Sequence, residues 1–126
     1  MRKPTLLIVG YGRFGEFAAR ILKSRFSVHV VESRRSVRLG PGLKRASVRD
    51  LGLFDIIVLA IPARRLEPFL EKYGRRFRRG SFVADVCAVK EAPLRWMRRH
   101  LPADVSYAGL HPLFGPESAA TGIRGH

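Results

Sequence analysis

The chain has 126 residues, a hydrophobic content of 46% and a formal net charge of +14 at pH 7. This length suits one domain with a single core, and no apolar run approaches the roughly 20 residues of a membrane-spanning helix, so we expect one cytoplasmic domain over residues 1–126. The only cysteine, Cys87, excludes an intrachain disulfide framework and suits a reducing compartment.

The first third of the chain predicts a strand–helix–strand unit. Residues 5–9 form an apolar run that ends at a glycine, as expected of a buried parallel strand. Apolar residues then recur at helical spacing over residues 14–22, and residues 28–31 give the next strand. The motif G-Y-G-R-F-G, residues 10–15, lies between the first strand and the helix.

The same alternation continues through the rest of the chain. We predict strands near residues 46–48, 55–61, 81–86 and 105–108, and helices over about residues 66–73 and 92–100. Pro68 is expected in the first turn of its helix, where proline is tolerated. Strands alternating with helices predict an α/β domain of the Rossmann type, in which helices cover both faces of a doubly wound, mostly parallel sheet.

The glycine motif has the spacing of a dinucleotide-binding loop. Gly10 permits the tight turn, Gly12 lets the backbone approach a pyrophosphate, and Gly15 lets helix and strand pack closely. The helix that follows offers free N–H groups and a partial positive charge to the pyrophosphate. The alternative is a tight turn that binds no ligand. We expect all six residues of the motif to contact a cofactor: Gly10, Tyr11, Gly12, Arg13, Phe14 and Gly15.

Two features after the second strand favour different nicotinamide cofactors. Glu32 can accept hydrogen bonds from both adenosine ribose hydroxyls, and its charge repels a 2′-phosphate, which favours NAD. Ser33 and Arg34 follow directly, and a Ser-Arg pair is the usual cradle for the 2′-phosphate of NADP. A solvated loop is the alternative interpretation of the arginine. We expect NAD or NADP, with a slight preference for NAD.

A third candidate contact with the cofactor is the turn Ala60-Ile61-Pro62. It ends the clearest strand of the chain, and open α/β sheets bind ligands at the carboxyl ends of their strands. Termination of the strand by proline explains the same residues almost as well.

Two more blocks complete the pattern: D-V-C-A-V-K at residues 85–90 and H-P-L-F-G-P-E-S at residues 111–118. With the glycine motif, in this order, they resemble the nucleotide-binding half of the prephenate and arogenate dehydrogenases of tyrosine biosynthesis. The resemblance implies an NAD(P)-dependent oxidative decarboxylation with prephenate or arogenate as the small-molecule substrate. It also implies that His111 is the catalytic group, which accepts the proton of the substrate's 4-hydroxyl.

The chain departs from the family pattern at Ala88. The family has a serine there, whose hydroxyl reaches toward the catalytic histidine and the substrate, and loss of one such contact costs roughly 1–3 kcal/mol. We also expect the chain to lack the family's C-terminal helical domain, which dimerises and completes the substrate site. An alternative function is therefore a catalytically silent dinucleotide-binding module with a sensing or scaffold role, and uncovered surfaces would favour a homo-oligomer.

The positive charge is spread in short arginine clusters, such as Arg75-Arg76 and Arg98-Arg99. Clustered cations neutralise phosphates, which would suit a nucleic-acid-binding protein. No nucleic-acid-binding motif accompanies these clusters, and most fall where helices or turns face water. We interpret them as a solvated surface that attracts anionic ligands, and we expect no nucleic-acid partner, membrane contact or metal site.

Overall fold

Six parallel strands form one sheet in the described part of the computed structural model, residues 3–87 and 91–110. The strands are β1 (Thr5–Val9), β2 (Ser27–Val31), β3 (Lys44–Arg45), β4 (Ile56–Leu59), β5 (Phe82–Asp85) and β6 (Ser106–Gly109). They lie in the order β3-β2-β1-β4-β5-β6, and every neighbouring pair is parallel. The chain order reverses between β1 and β4, and such a point is where open α/β sheets leave a crevice beyond the carboxyl ends of their strands.

Helices cover both faces of this sheet. They are α1 (Arg13–Leu22), α2 (Ala63–Tyr73) and α3 (Glu91–His100), with short 3-10 helices at Val48–Leu53 and Gly74–Arg76. Leu6 of β1 packs in the core cluster that contains Ala19 of α1, whereas the next residue, Leu7, packs in the cluster that contains Leu66 of α2 and Met97 of α3. Successive side chains of a strand point to opposite faces, so β1 is buried on both. The predicted doubly wound α/β fold is confirmed.

The short strand β3 lies earlier in the chain than the sequence predicts. It covers Lys44–Arg45 rather than residues 46–48. The reason is Ser47, which forms a capping box with Asp50 and so begins the 3-10 helix that follows. Because Ser47 is the N-cap of this helix, it is not available to continue β3.

Pro68 also lies elsewhere than the sequence predicts. It is not in the first turn of α2 but is the sixth of the helix's 11 residues. Proline has no N–H, so the hydrogen bond that residue 68 would donate to the carbonyl of Arg64 is missing from the helix. Packing of Leu66 and Leu70, both buried, holds the helix together across this gap.

Within residues 3–87 and 91–110, no helix has the length and apolar character required to cross a lipid bilayer.

Candidate functional site

A cavity of about 570 Å³ opens at the carboxyl ends of β1, β2 and β4, where the strand order reverses. Its described lining residues are Val9, Gly10, Tyr11, Gly12, Val31, Glu32, Ser33, Arg34, Val48, Ala60, Ile61, Pro62, Arg64, Arg65, Phe69 and Tyr73. Most of the expected cofactor contacts therefore lie together around one space. Arg13, Phe14 and Gly15 do not line it: Arg13 is exposed, Phe14 packs from α1 against the core, and Gly15 is buried.

Gly10 joins the three strands that surround the cavity. It has a φ of +105°, a backbone conformation that favours glycine, and its N–H donates to the carbonyl of Val31 at 2.9 Å. A Cβ on Gly10 would lie under 3.0 Å from the carbonyl oxygen of Ala60, a separation that real Cβ atoms essentially never show. Glycine is thus required where β1, β2 and β4 converge.

Gly12 and Gly15 differ in the space around them. A Cβ on Gly15 would collide with the carbonyl oxygen of Gly10, so α1 packs directly against the loop. A Cβ on Gly12 would meet nothing within 4 Å. Gly12 is the N-cap of α1 and has no side chain to satisfy the helix N–H groups, so the positive end of the helix is open to an anion from the cavity.

Glu32 follows β2 and places a carboxylate in the cavity wall. Its side chain is only 6% exposed because Arg34 lies over it, while the side chain of Arg34 is 59% exposed. The Arg34 backbone N–H donates to Oε2 at 2.6 Å, and the guanidinium donates through Nε to Oε2 at 3.1 Å and through Nη2 to Oε1 at 2.9 Å. The arginine expected to hold a 2′-phosphate is therefore paired with the carboxylate expected to hold a ribose.

These contacts lower the pKa of Glu32 from 4.5 to about 2. Hydrogen bonds from the Arg34 side chain are the largest cause, and burial opposes them. The Arg34 backbone N–H, the Arg34 charge and the Tyr11 backbone N–H add to the lowering. Glu32 is consequently a carboxylate throughout the physiological pH range.

Tyr11 links the glycine loop to the segment after β2. Its ring is buried, and its hydroxyl accepts a hydrogen bond from the N–H of Gly40 at 3.0 Å. Its carbonyl accepts from Nη2 of Arg34 at 3.5 Å, and its backbone N–H helps to lower the pKa of Glu32. One residue of the glycine loop thus interacts with three positions of the segment that carries the expected ribose contacts.

The wall contributed by α2 is not among the expected site residues. Arg65, Phe69 and Tyr73 recur every four residues along one stripe of the helix, and the rings of Phe69 and Tyr73 lie 5.0 Å apart. The helical spacing of the two aromatic residues is visible in the sequence, but it predicts a core face equally well. Both rings are half-buried: they pack against the core and also line the cavity.

The carboxyl end of β5 lies along the same edge of the sheet. The Asp85 carboxylate is fully buried and accepts a hydrogen bond from the N–H of Cys87 at 3.0 Å, and the Cys87 thiol lies 3.7 Å from the carbonyl oxygen of Ile61. The N–H of Leu110 donates to the carbonyl of Asp85 at 2.8 Å. Ala88 and the expected catalytic residue His111 lie outside the described residues.

Comparison with protein families gives a match to a family described as the nucleotide-binding domain of prephenate dehydrogenase, over residues 26–125. A probable arogenate/prephenate dehydrogenase of Methanocaldococcus jannaschii is 28% identical over 89% of this chain and 27% of its own length. Arogenate dehydrogenase 1 of Arabidopsis thaliana, a chloroplastic protein, is 27% identical over 95% of this chain and 20% of its own length. The chain thus spans about a fifth to a quarter of these two relatives.

Solved structures with the same fold include dehydrogenases and reductases. The prephenate dehydrogenase of A. aeolicus, in complex with hydroxyphenyl propionate and NAD+, has a TM-score of 0.69 at 18% identity, over 91% of this chain and 43% of that one. An imine reductase of Myxococcus stipitatus in complex with NADP+ has a TM-score of 0.73 at 24% identity, over 90% of this chain and 43% of that one. At these identities the likeness shows the fold alone.

Proposed function

Because this chain belongs to the family of prephenate dehydrogenase nucleotide-binding domains, we propose that it binds NAD or NADP and forms the cofactor-binding half of an enzyme that oxidatively decarboxylates prephenate or arogenate. The observation that carries the proposal is the glycine loop. Gly10 and Gly15 make the turn that the backbone needs, while Gly12 leaves open space at the positive end of α1. This arrangement fits a pyrophosphate.

The other residues of the cavity would hold the rest of the dinucleotide. Glu32 lines the cavity and would accept hydrogen bonds from the adenosine ribose hydroxyls, and the turn Ala60-Ile61-Pro62, which also lines it, would lie beside the dinucleotide. Because the low pKa keeps Glu32 ionised, its charge opposes a 2′-phosphate, and this supports a preference for NAD.

The proposed reaction removes a hydride and carbon dioxide from the substrate ring, which becomes aromatic. The bound dinucleotide supplies the hydride acceptor. As the hydride leaves C4, the 4-hydroxyl becomes a carbonyl and gives up its proton, and we assign the acceptance of that proton to His111. The electron pair of the bond to the departing carbon dioxide then makes the ring aromatic and the oxygen a phenolate, to which His111 returns the proton. The motif at residues 111–118 supports this assignment, as does the position of Leu110, which pairs with Asp85 at the edge of the sheet that bears the cavity.

The proposal is tested by two measurements. Calorimetric titration of the 126-residue chain with NAD+ and with NADP+ is expected to show binding, and a folded chain that binds neither dinucleotide would refute the cofactor site. The chain joined to a helical domain of the family, which completes the substrate site, is expected to form NADH or NADPH from prephenate or arogenate, and His111→Ala is expected to abolish this turnover. Binding without turnover in the joined protein, or turnover that survives His111→Ala, would refute the catalytic part alone.

Ala88→Ser restores the serine of the family pattern and tests whether the missing hydroxyl limits the reaction. In the chain joined to a helical domain of the family, turnover is expected to rise about 10- to 100-fold, the equivalent of one regained polar contact in the site. Unchanged turnover would show that the serine is dispensable in this chain.

A further inference from the structure

The Glu32 carboxylate has too few acceptor positions left for a ribose diol. An ionised carboxylate offers about four acceptor positions on its two oxygens. Arg34 fills three of them, through its backbone N–H, Nε and Nη2. A ribose that is to donate from both its 2′- and 3′-hydroxyls must therefore displace at least one of these donors.

The two donors that can leave are those of the Arg34 side chain. The backbone N–H of Arg34, 2.6 Å from Oε2, cannot withdraw without a change in the path of the chain. The Arg34 guanidinium, in contrast, lies on a side chain that is 59% exposed, and its remaining contact in this region is the 3.5 Å bond to the Tyr11 carbonyl. It occupies two acceptor positions, the number that the ribose diol requires.

The backbone of Glu32 is held independently of Arg34. Arg45 donates through Nη1 to the Glu32 carbonyl at 2.9 Å and through Nη2 to the carbonyl of Val37. Departure of the Arg34 side chain thus leaves the carboxylate in place and uncovered.

We propose that the Arg34 guanidinium is a movable cover on Glu32, which the ribose diol of NAD must displace and which the 2′-phosphate of NADP draws away, and that the selection between NAD and NADP follows from what the displaced guanidinium contacts next. This inference rests on the proposed function. With NADP the guanidinium gains a 2′-phosphate, a strong bidentate partner, in exchange for Glu32. With NAD it gains no anion at this position, so the internal pair with Glu32 competes against NAD binding.

Removal of the Arg34 side chain then has opposite effects on the two cofactors. For NAD+, the ion pair between Arg34 and Glu32 no longer competes with the ribose. Since one partner of that pair is exposed, its loss should increase the affinity for NAD+ roughly two- to fivefold. For NADP+, the phosphate loses a charged partner, which corresponds to a roughly 10- to 100-fold weakening. A residue that merely contacted the cofactor would weaken binding of one or both dinucleotides and tighten neither.

The experiment is calorimetric titration of the 126-residue chain with NAD+ and with NADP+, two ligands that differ only in the 2′-phosphate. Arg34→Ala is compared with Arg35→Ala, a matched loss of one exposed arginine that does not line the cavity. We expect Arg34→Ala to lower the Kd for NAD+ and to raise the Kd for NADP+. Arg35→Ala is expected to change both Kd values in the same direction, by less than about twofold. Arg34→Gln, which keeps most of the length of the side chain without its charge, is expected to repeat the first result.

The titrations distinguish failure of the Arg34 cover from failure of dinucleotide binding itself. If the Arg34 variants weaken NAD+ or leave its affinity unchanged, the cover does not exist, although the site binds nucleotide. If the unaltered chain binds neither dinucleotide, the proposed function itself is wrong, and the inference falls with it. Circular dichroism of each variant shows whether the fold is retained, and the two Arg34 variants guard against misfolding of one of them.

Discussion

Gly15 lies directly against the backbone of Gly10: a Cβ built on Gly15 would fall under 3.0 Å from the Gly10 carbonyl oxygen. Gly15 belongs to α1 and Gly10 follows the last residue of β1, so this is the point where helix and strand meet behind the cavity. Since the neighbouring atoms are backbone, no side-chain rotation can make room.

Gly15→Ala is therefore expected to lower the free energy of unfolding by at least about 2 kcal/mol, because α1 must move away from the loop. Urea unfolding followed by circular dichroism measures the change. Gly12→Ala is the matched control, since the same methyl group meets nothing within 4 Å there. Equal losses in the two variants would contradict the close packing of α1 on the loop.

Gly12→Ala tests binding apart from stability. The added methyl group faces the open end of α1, where we place the pyrophosphate, so the Kd for NAD+ should rise at least about tenfold. The free energy of unfolding should fall by about 1 kcal/mol or less, the effect of alanine at an N-cap. Calorimetry measures the Kd and urea unfolding measures the stability of the same variant. Unimpaired NAD+ binding would show that the pyrophosphate does not lie at Gly12.

The pH dependence of stability should report the pair between Glu32 and Arg34. The pKa of Glu32 is about 2 in the folded chain and 4.5 ordinarily, so its stabilisation is fully present above about pH 4.5 and is lost as the pH falls toward 2. Because the guanidinium is largely exposed, the amount is on the order of 1 kcal/mol. Urea unfolding of the unaltered chain and of Glu32→Gln should differ at pH 6 and converge near pH 2. A constant difference would show that Glu32 titrates normally.

Tyr11→Phe removes the acceptor for the Gly40 N–H and keeps the buried ring. The free energy of unfolding should fall by about 1–2 kcal/mol, and NAD+ should bind a few-fold more weakly, because the segment that carries Glu32 loses one of its attachments. Tyr107→Phe, on β6 and outside the cavity lining, is the control for loss of a tyrosine hydroxyl. If both variants bind NAD+ equally well, the Tyr11 hydroxyl does not position the site.

The order of elements is predictable because the central strands are buried. Residues 6–9 form a continuous apolar run since β1 has a core cluster on either side, and a short apolar run that ends at glycine or proline is typical of a buried strand. The short strand β3 cannot be located in the same way, because its Lys44 and Arg45 side chains are exposed and carry no hydrophobic signal. Two residues of backbone pairing leave no pattern in the sequence.

The site is most predictable where backbone geometry dictates residue type, and the position of Glu32 and of residues 60–62 after their strands is enough to predict that they line the cavity. Close approaches and an unusual φ require the glycines at residues 10 and 15, and such requirements are visible in a sequence. The bond between Arg34 and Glu32 is not, because side chains two residues apart meet only when the turn between them brings them together. Phe69 is hidden for a related reason: its spacing identifies a helix face but not the cavity beside that face.

The hydroxyl of Tyr11 has an evolutionary consequence. A Cβ on residue 40 would stand 3.4 Å from that oxygen, and the amide of residue 40 is its donor. Substitutions at positions 11 and 40 should therefore arise as correlated pairs among homologous chains, with loss of the phenol accompanied by a new acceptor for the amide. An engineer who grafts this glycine loop onto another domain would have to transplant the segment through Gly40 with it.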